Sequence, residues 1–105
     1  MHRVLFAVYR RDGLTFDEFL AHYREVHVPI ARRFPKLRRY DIFPRSPDTV
    51  SGGGPDAFAL MTFDRPADFD EAIASPEFAE AVADNESFVQ RFETYVVDHI
   101  PVIEG

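Results

Sequence analysis

The stretch "TFDEFLAHYREVHVPIARRF", residues 15 to 34, decides how the rest of the chain is read. Thr15 can cap a helix and Glu18 can return the bond, which makes a capping box. Phe16, Phe19, Leu20, Tyr23, His27, Ile30 and Phe34 then recur at helical spacing. Pro29 interrupts the pattern. It cannot donate to the carbonyl of Glu25 and it crowds that carbonyl, so the helix is expected to kink or loosen there. Pro35 ends it. At about 100° per residue, His27 lies within roughly 20° of Phe16 on the apolar stripe. On a regular helix His22 falls about 140° from His27, so it reads as a solvated residue that cannot share a metal with His27.

Working outward, "VLFAVYR" (4–10) is rich in Val and aromatics and is ended by the turn signal "RDGL", so it reads as a strand. "LRRYDIF" (37–43) is a second strand, "PRSPDTVSGGGP" (44–55) a loop and "AFALMTF" (57–63) a third strand. Pro66 opens a second helical region, "PADFDEAIAS", and Ser75-Pro76 restarts it as "PEFAEAVAD". Residues 85–92 read as a turn or short helix, and "ETYVVDHIPVI" (93–103) as the last strand. The order β-α-β-β-α-β is the ferredoxin-like arrangement, an α+β fold with a four-stranded antiparallel sheet and helices on one face.

Both alternating sets in 57–63 are largely apolar, Ala57/Ala59/Met61/Phe63 and Phe58/Leu60/Thr62, and 4–9 repeats the pattern. A sheet apolar on both faces must be covered on both, and two helices cover only one. A second copy of the sheet is the economical cover, which predicts a homodimer through the sheet faces.

A chain of 105 residues has room for one domain, here 1–105. With 46% hydrophobic residues and 11 Phe it can fill a core. There is no Cys, which excludes disulfides, thiol nucleophiles and cysteine metal sites. The apolar run near the start is too short for a signal peptide, and no stretch can span a membrane, so a cytoplasmic protein is expected. Residues 1–50 carry 10 Lys/Arg against 6 acids, and residues 51–105 carry 2 against 12. The expectation is that these halves pair within the fold or across a dimer, with no nucleic acid as partner. The cluster Arg32, Arg33, Lys36, Arg38, Arg39 could also draw an anionic ligand.

His27 carries the chemical question. A lone His on an apolar stripe is more often a hydrogen-bonded core or partly buried residue than a reactive group facing a cavity. Tyr23, one turn earlier on the same face, and the disturbance at Pro29 favour a space beside it. Desolvation there would keep the imidazole neutral and usable as a general base. Asp98 and His99 are neighbours on the last strand, so one faces inward and could line the pocket; a polar strand end is the alternative. "GGG" (52–54) leads into a strand and is no phosphate loop, and the carboxylates of "DFDEA" (68–72) suit a first helical turn. No triad, P-loop or metal signature is present in the sequence.

The segment "RRDGLTFDEFLAHYREVHVPIARRFPKLRRY" (10–40) resembles the opening of EthD-type proteins: a strand, a "dGlt-x-eeF" helix start, an aromatic shortly before "H-x-P", then "lp-g-lrrY". Tyr23 stands where relatives often have Trp, and Lys36 where Gly is common. The resemblance implies a dimeric α+β barrel, two ferredoxin-like subunits with facing sheets and a pocket in each. Relatives include accessory proteins of ether degradation, polyketide-type cyclases and a methylmuconolactone isomerase, working without organic cofactors or metals. In the isomerase-like members a His and a Tyr at the positions of His27 and Tyr40 help move protons; a Cys also contributes there, and this chain has none.

The expected function is a small cofactor-independent enzyme acting on a hydrophobic lactone or aromatic, polyketide-like compound. His27 would move a proton beside a carbonyl, Tyr40 would stabilise the oxyanion, and Tyr23, Phe6 and Phe58 would shape the pocket. The alternatives are a non-catalytic binding or accessory protein for a degradative oxygenase, a cofactor-free monooxygenase, and a haem binder.

Overall fold

The computed structural model describes residues 1–49 and 52–105. Its elements run β1 (His2–Arg10), α1 (Phe16–His22), a π-helical turn (Tyr23–His27), α2 (Val28–Ala31), β2 (Arg39–Pro44), β3 (Ala57–Phe63), α3 (Pro66–Ile73), α4 (Pro76–Phe88) and β4 (Val89–Val97). The strands form one antiparallel sheet in the order β2-β3-β1-β4. This is the ferredoxin-like α+β arrangement.

Local chemistry accounts for most element boundaries. The capping box is present: the Thr15 side chain accepts from the Glu18 N–H, and the Glu18 carboxylate accepts from the Thr15 N–H. Ser75 caps α4 by accepting from the Phe78 N–H, and Pro76 takes the first helical position, where its missing N–H does no harm. Lys36 adopts φ 65°, the left-handed region that favours Gly. The residue type common in relatives at that position thus has a backbone reason.

Several boundaries differ from expectation, three of them around α4 and β4. Helix α4 continues through 85–88, where a turn or short helix was expected, because Phe88 packs fully buried against Phe19 and Tyr23. Strand β4 accordingly begins at Val89, pairing with Arg10. It stops at Val97, opposite Arg3, because β1 starts at His2 and offers little more backbone to pair with. Residues 98–103, expected as strand, lie beyond it. The expected loop over 44–55 includes residues 50 and 51, which lie outside the described residues.

Register sets the faces. On the helix side lie Val4, Phe6 and Val8, paired with Met61, Ala59 and Ala57 and, beyond them, with Tyr40, Ile42 and Pro44. The opposite side carries Leu5, Ala7, Phe58, Leu60, Phe43 and Tyr95. Among the described residues no helix covers that side, and Phe43, Phe58 and Tyr95 are 51%, 38% and 47% exposed. The helix side holds two buried clusters, one around Phe34, Met61, Phe63 and Ala72, the other around Val8, Phe19, Tyr23 and Phe88.

Part of the charge asymmetry is answered within the fold. Arg10 and Arg45 meet Asp56, Arg33 meets Glu80, and Arg38 meets Asp64, each joining a cation of the first half to an acid of the second. Within the basic cluster, Arg33, Arg38 and Arg39 all have carboxylate partners. The exposed pairs are worth little each, but they answer the charge of the cluster locally.

Phe63 is fully buried beside Phe69. Phe63→Ala is expected to lower unfolding free energy by about 3–5 kcal/mol, read from urea denaturation. A loss under about 1 kcal/mol would show that the cluster repacks.

Candidate functional site

A turn of π-helix begins the site. In an α-helix the N–H at position 29 would donate to the carbonyl of Glu25, and Pro29 has none. The Val28 N–H instead donates to the carbonyl of Tyr23, five residues back, and the turn Tyr23–His27 takes in one extra residue. Residues five apart are thereby brought towards the same face. His22 and His27 are five apart.

Both histidines reach one carboxylate on α4. His27 Nδ1 lies 3.0 Å from Asp84 Oδ2, and His22 Nε2 lies 2.9 Å from Asp84 Oδ1. An ionised carboxylate only accepts, so each ring donates an N–H to it. The side chains are 13% exposed for His27, 11% for Asp84 and 26% for His22. The expectation for His22 is therefore corrected: it is a partly buried residue turned towards α4, because the π turn replaces the regular helix on which the 140° separation depended. Phe88 stacks near both rings, with centroids 4.8 Å from His22 and 4.9 Å from His27, and Tyr23 meets His27 edge-on at 5.6 Å.

A half-open cavity of about 60 Å³ lies between the sheet and the helices, with His27 in its wall. Its room comes from short side chains, Ala59 on β3 and Ala81 on α4, set among larger ones. Phe6, Tyr23, Tyr40 and His27 all line it, so the fold brings four of the sequence-derived residues together. The other three lie elsewhere. Phe58 alternates onto the uncovered sheet face, because its neighbours Ala57 and Ala59 take the helix side. Asp98 and His99 follow the end of β4 and line a separate groove with Arg3, Phe43, Leu60 and Thr62. All three are corrected as cavity residues.

With Nδ1 committed to Asp84, His27 Nε2 has no hydrogen-bond partner among the described residues. Burial lowers the His27 pKa below the ordinary imidazole value, the hydrogen bond and charge of Asp84 push it back up, and the nearby His22 lowers it. The ring is neutral at neutral pH, with its Nδ1 proton held by Asp84 and its Nε2 lone pair available. Across the cavity, burial pushes the Tyr40 hydroxyl up to about 12, an effect that hydrogen bonding from Tyr23 partly offsets. Burial raises Tyr23 further still, with Tyr40 adding to it. Both phenols are donors at any ordinary pH.

Sequence reasoning missed Asp84 and Asn85. Asp84 lies 57 residues from His27 along the chain. Asn85 lines the cavity. The only local signal was Asp-Asn at the end of an expected helix, which reads as a helix terminus. Among the described residues no group of three His, Cys, Asp or Glu side chains is arranged to hold a metal ion. No helix there is long and apolar enough to cross a membrane.

The EthD domain model matches residues 11–91. The chain is 36% identical over 79 residues to an uncharacterized 11.0 kDa protein from the thcB-thcC intergenic region of Rhodococcus erythropolis, covering 73% of this chain and 72% of that one. Among solved structures it resembles an EthD family protein from Bacillus halodurans, with a TM-score of 0.76 and 21% identity, covering 95% of this chain and 100% of the other. It also resembles a dimeric ferredoxin-like protein of unknown function from Thermobifida fusca, with a TM-score of 0.73 and 14% identity, covering 91% of this chain and 88% of that one. These two likenesses establish the fold.

The His27 shift has a consequence for stability. Its folded pKa lies below its unfolded one, so between the two the unfolded chain binds more protons at this residue. The His27 contribution therefore falls as pH drops through about 6.5, and levels off below the folded value. The urea midpoint is expected to fall from about pH 7.5 to about pH 5.5, and to fall less steeply in His27→Gln. Equal slopes in the two proteins would contradict the shift.

Proposed function

The chain belongs to the EthD domain family, and from that premise we propose that it is a small, cofactor-independent homodimeric enzyme moving a proton beside a carbonyl. The substrate class is an apolar, oxygen-bearing compound, a lactone or an aromatic polyketide-like molecule. One observation carries the reading: His27 offers an unpaired Nε2 at the wall of an apolar cavity while its Nδ1 is held by Asp84.

The chemistry follows from the groups present. His27 Nε2 removes a proton from the carbon next to the carbonyl, and the electron pair of that C–H bond moves to the carbonyl oxygen as an enolate. Tyr40 donates its O–H to that oxygen, and hydrogen bonding from Tyr23 eases the polarisation of Tyr40. The Asn85 amide supplies a second donor from the cavity wall. Asp84 fixes the tautomer of His27 and stabilises the imidazolium while it exists. Return of the proton to a different carbon completes an isomerisation and restores the neutral imidazole. The aromatic and aliphatic walls exclude water and favour an apolar ligand.

The homodimer rests on the uncovered sheet face. Leu5, Phe43, Phe58, Leu60 and Tyr95 form an apolar patch of the kind that marks an interaction surface. A dimeric protein of similar fold supports a second copy as its cover.

Incubation in D₂O with a panel of simple lactones and aromatic ketones, followed by NMR, tests the chemistry. Deuterium is expected to enter next to the carbonyl, and His27→Ala is expected to slow this by about 10²–10⁴-fold with binding retained. Ligands that bind the wild-type protein and exchange no proton would make it a carrier. For the assembly, Phe43→Glu with Phe58→Lys is expected to convert a dimer into a monomer in light scattering after size exclusion, with the fold retained by circular dichroism. A wild-type monomer would remove the dimer.

A further inference from the structure

We infer that His22 and His27 compete for the one positive charge that Asp84 balances, which makes His22 a positioning residue that keeps the cavity-facing imidazole neutral. Its use in turnover rests on the proposed role of His27 as base, whereas the competition itself does not.

The two oxygens of Asp84 are each taken by one ring, Oδ2 by His27 Nδ1 and Oδ1 by His22 Nε2. One carboxylate can balance one imidazolium. A second imidazolium on the same group would leave a net positive charge in a pocket where water screens poorly. The two rings differ in access, since His22 is twice as exposed as His27. Where the cluster carries one imidazolium, that charge therefore sits on the outer ring, which water reaches, and the inner ring stays neutral. The titratable groups facing this cluster are few. They are Asp84 from α4, Tyr23 beside His27 on the same helix, and Tyr40 across the cavity from β2. The sheet strands β1 and β4 contribute only Phe6, Val8, Val89 and Phe92 to that wall. The Arg33–Glu80 pair, one turn earlier on α4, is already balanced.

Protons balance without passing through the carboxylate. When His27 Nε2 takes a proton from a ligand, His27 becomes the imidazolium that Asp84 balances. His22 then releases one ring proton to water and becomes neutral. When His27 gives its proton back, His22 takes one from water. The base therefore acts without accumulating charge beside the cavity, and its readiness is set by a residue that the cavity does not touch.

The experiment is a pH titration of the intact, ligand-free protein labelled with ¹⁵N-histidine, following the ring nitrogens by NMR. Each ring is expected to report both of two steps, as interacting groups do. His22→Gln is expected to reduce this to one step and to raise the His27 midpoint by about one pH unit, because the competing cation is gone. Asp84→Asn is expected to lower the His27 midpoint and to abolish its cross-response to His22. Independent single-step curves in the wild-type protein, or a His27 midpoint unmoved by His22→Gln, would overturn the inference. The wild-type titration decides even if a variant does not fold. Failure of the proton-transfer reading is distinguishable: it appears as absent deuterium exchange in a protein whose histidines remain coupled.

Discussion

A proline has no backbone N–H to give, and at position 29 that single missing donor reorganises the first helical segment. The Val28 N–H reaches five residues back to Tyr23, the turn widens, and two histidines that a regular helix would separate come onto one face. Asp84 meets both. Without the widened turn, one ring would point to solvent and the carboxylate would be left half-satisfied in a largely buried position. The π turn is thus a local backbone irregularity with a polar network as its product, at a place where such turns recur in functional sites.

The network and the cavity support each other. Buried polar groups are costly unless their hydrogen bonds are made, and here the three groups satisfy one another. Among the described residues that leaves His27 Nε2, at the cavity, and His22 Nδ1 without a protein partner. The cavity has room because β3 and α4 place the short side chains of Ala59 and Ala81 in a wall of larger ones. Phe34, Met61 and Ala81 from one buried cluster, and Val8, Tyr23 and Phe88 from the other, all reach it. The core is accordingly divided where the chemistry is proposed to occur, which trades packing for space.

The sheet separates two tasks by parity alone. Side chains on alternate residues face the helices and the cavity, and the intervening ones build an apolar face that no helix among the described residues covers. The proposed dimer uses the second set without disturbing the first. A substitution such as Phe58 to a charged residue therefore acts on assembly, while the cavity is lined from the opposite side.

Much of this was written in local sequence. The capping box at Thr15, the disturbance at Pro29, the bounds of the third strand at 57–63, the helix restart at Ser75-Pro76 and the element order depend on residues near one another, where spacing and backbone chemistry suffice. His27, Tyr40, Tyr23 and Phe6 could be named from the stripe, the strand and the family resemblance. Tertiary structure decided the rest, because it turned on pairings between distant residues. The bounds of β4 follow from where β1 begins and ends, which placed Asp98 and His99 beyond the sheet. Strand parity was ambiguous while both faces were apolar, and only the register sent Phe58 outward. The one local signal at Asp84 read as a helix terminus: a carboxylate on a helix is ordinarily solvated, and only the packing of α4 against the π turn brings it to two histidines about sixty residues away.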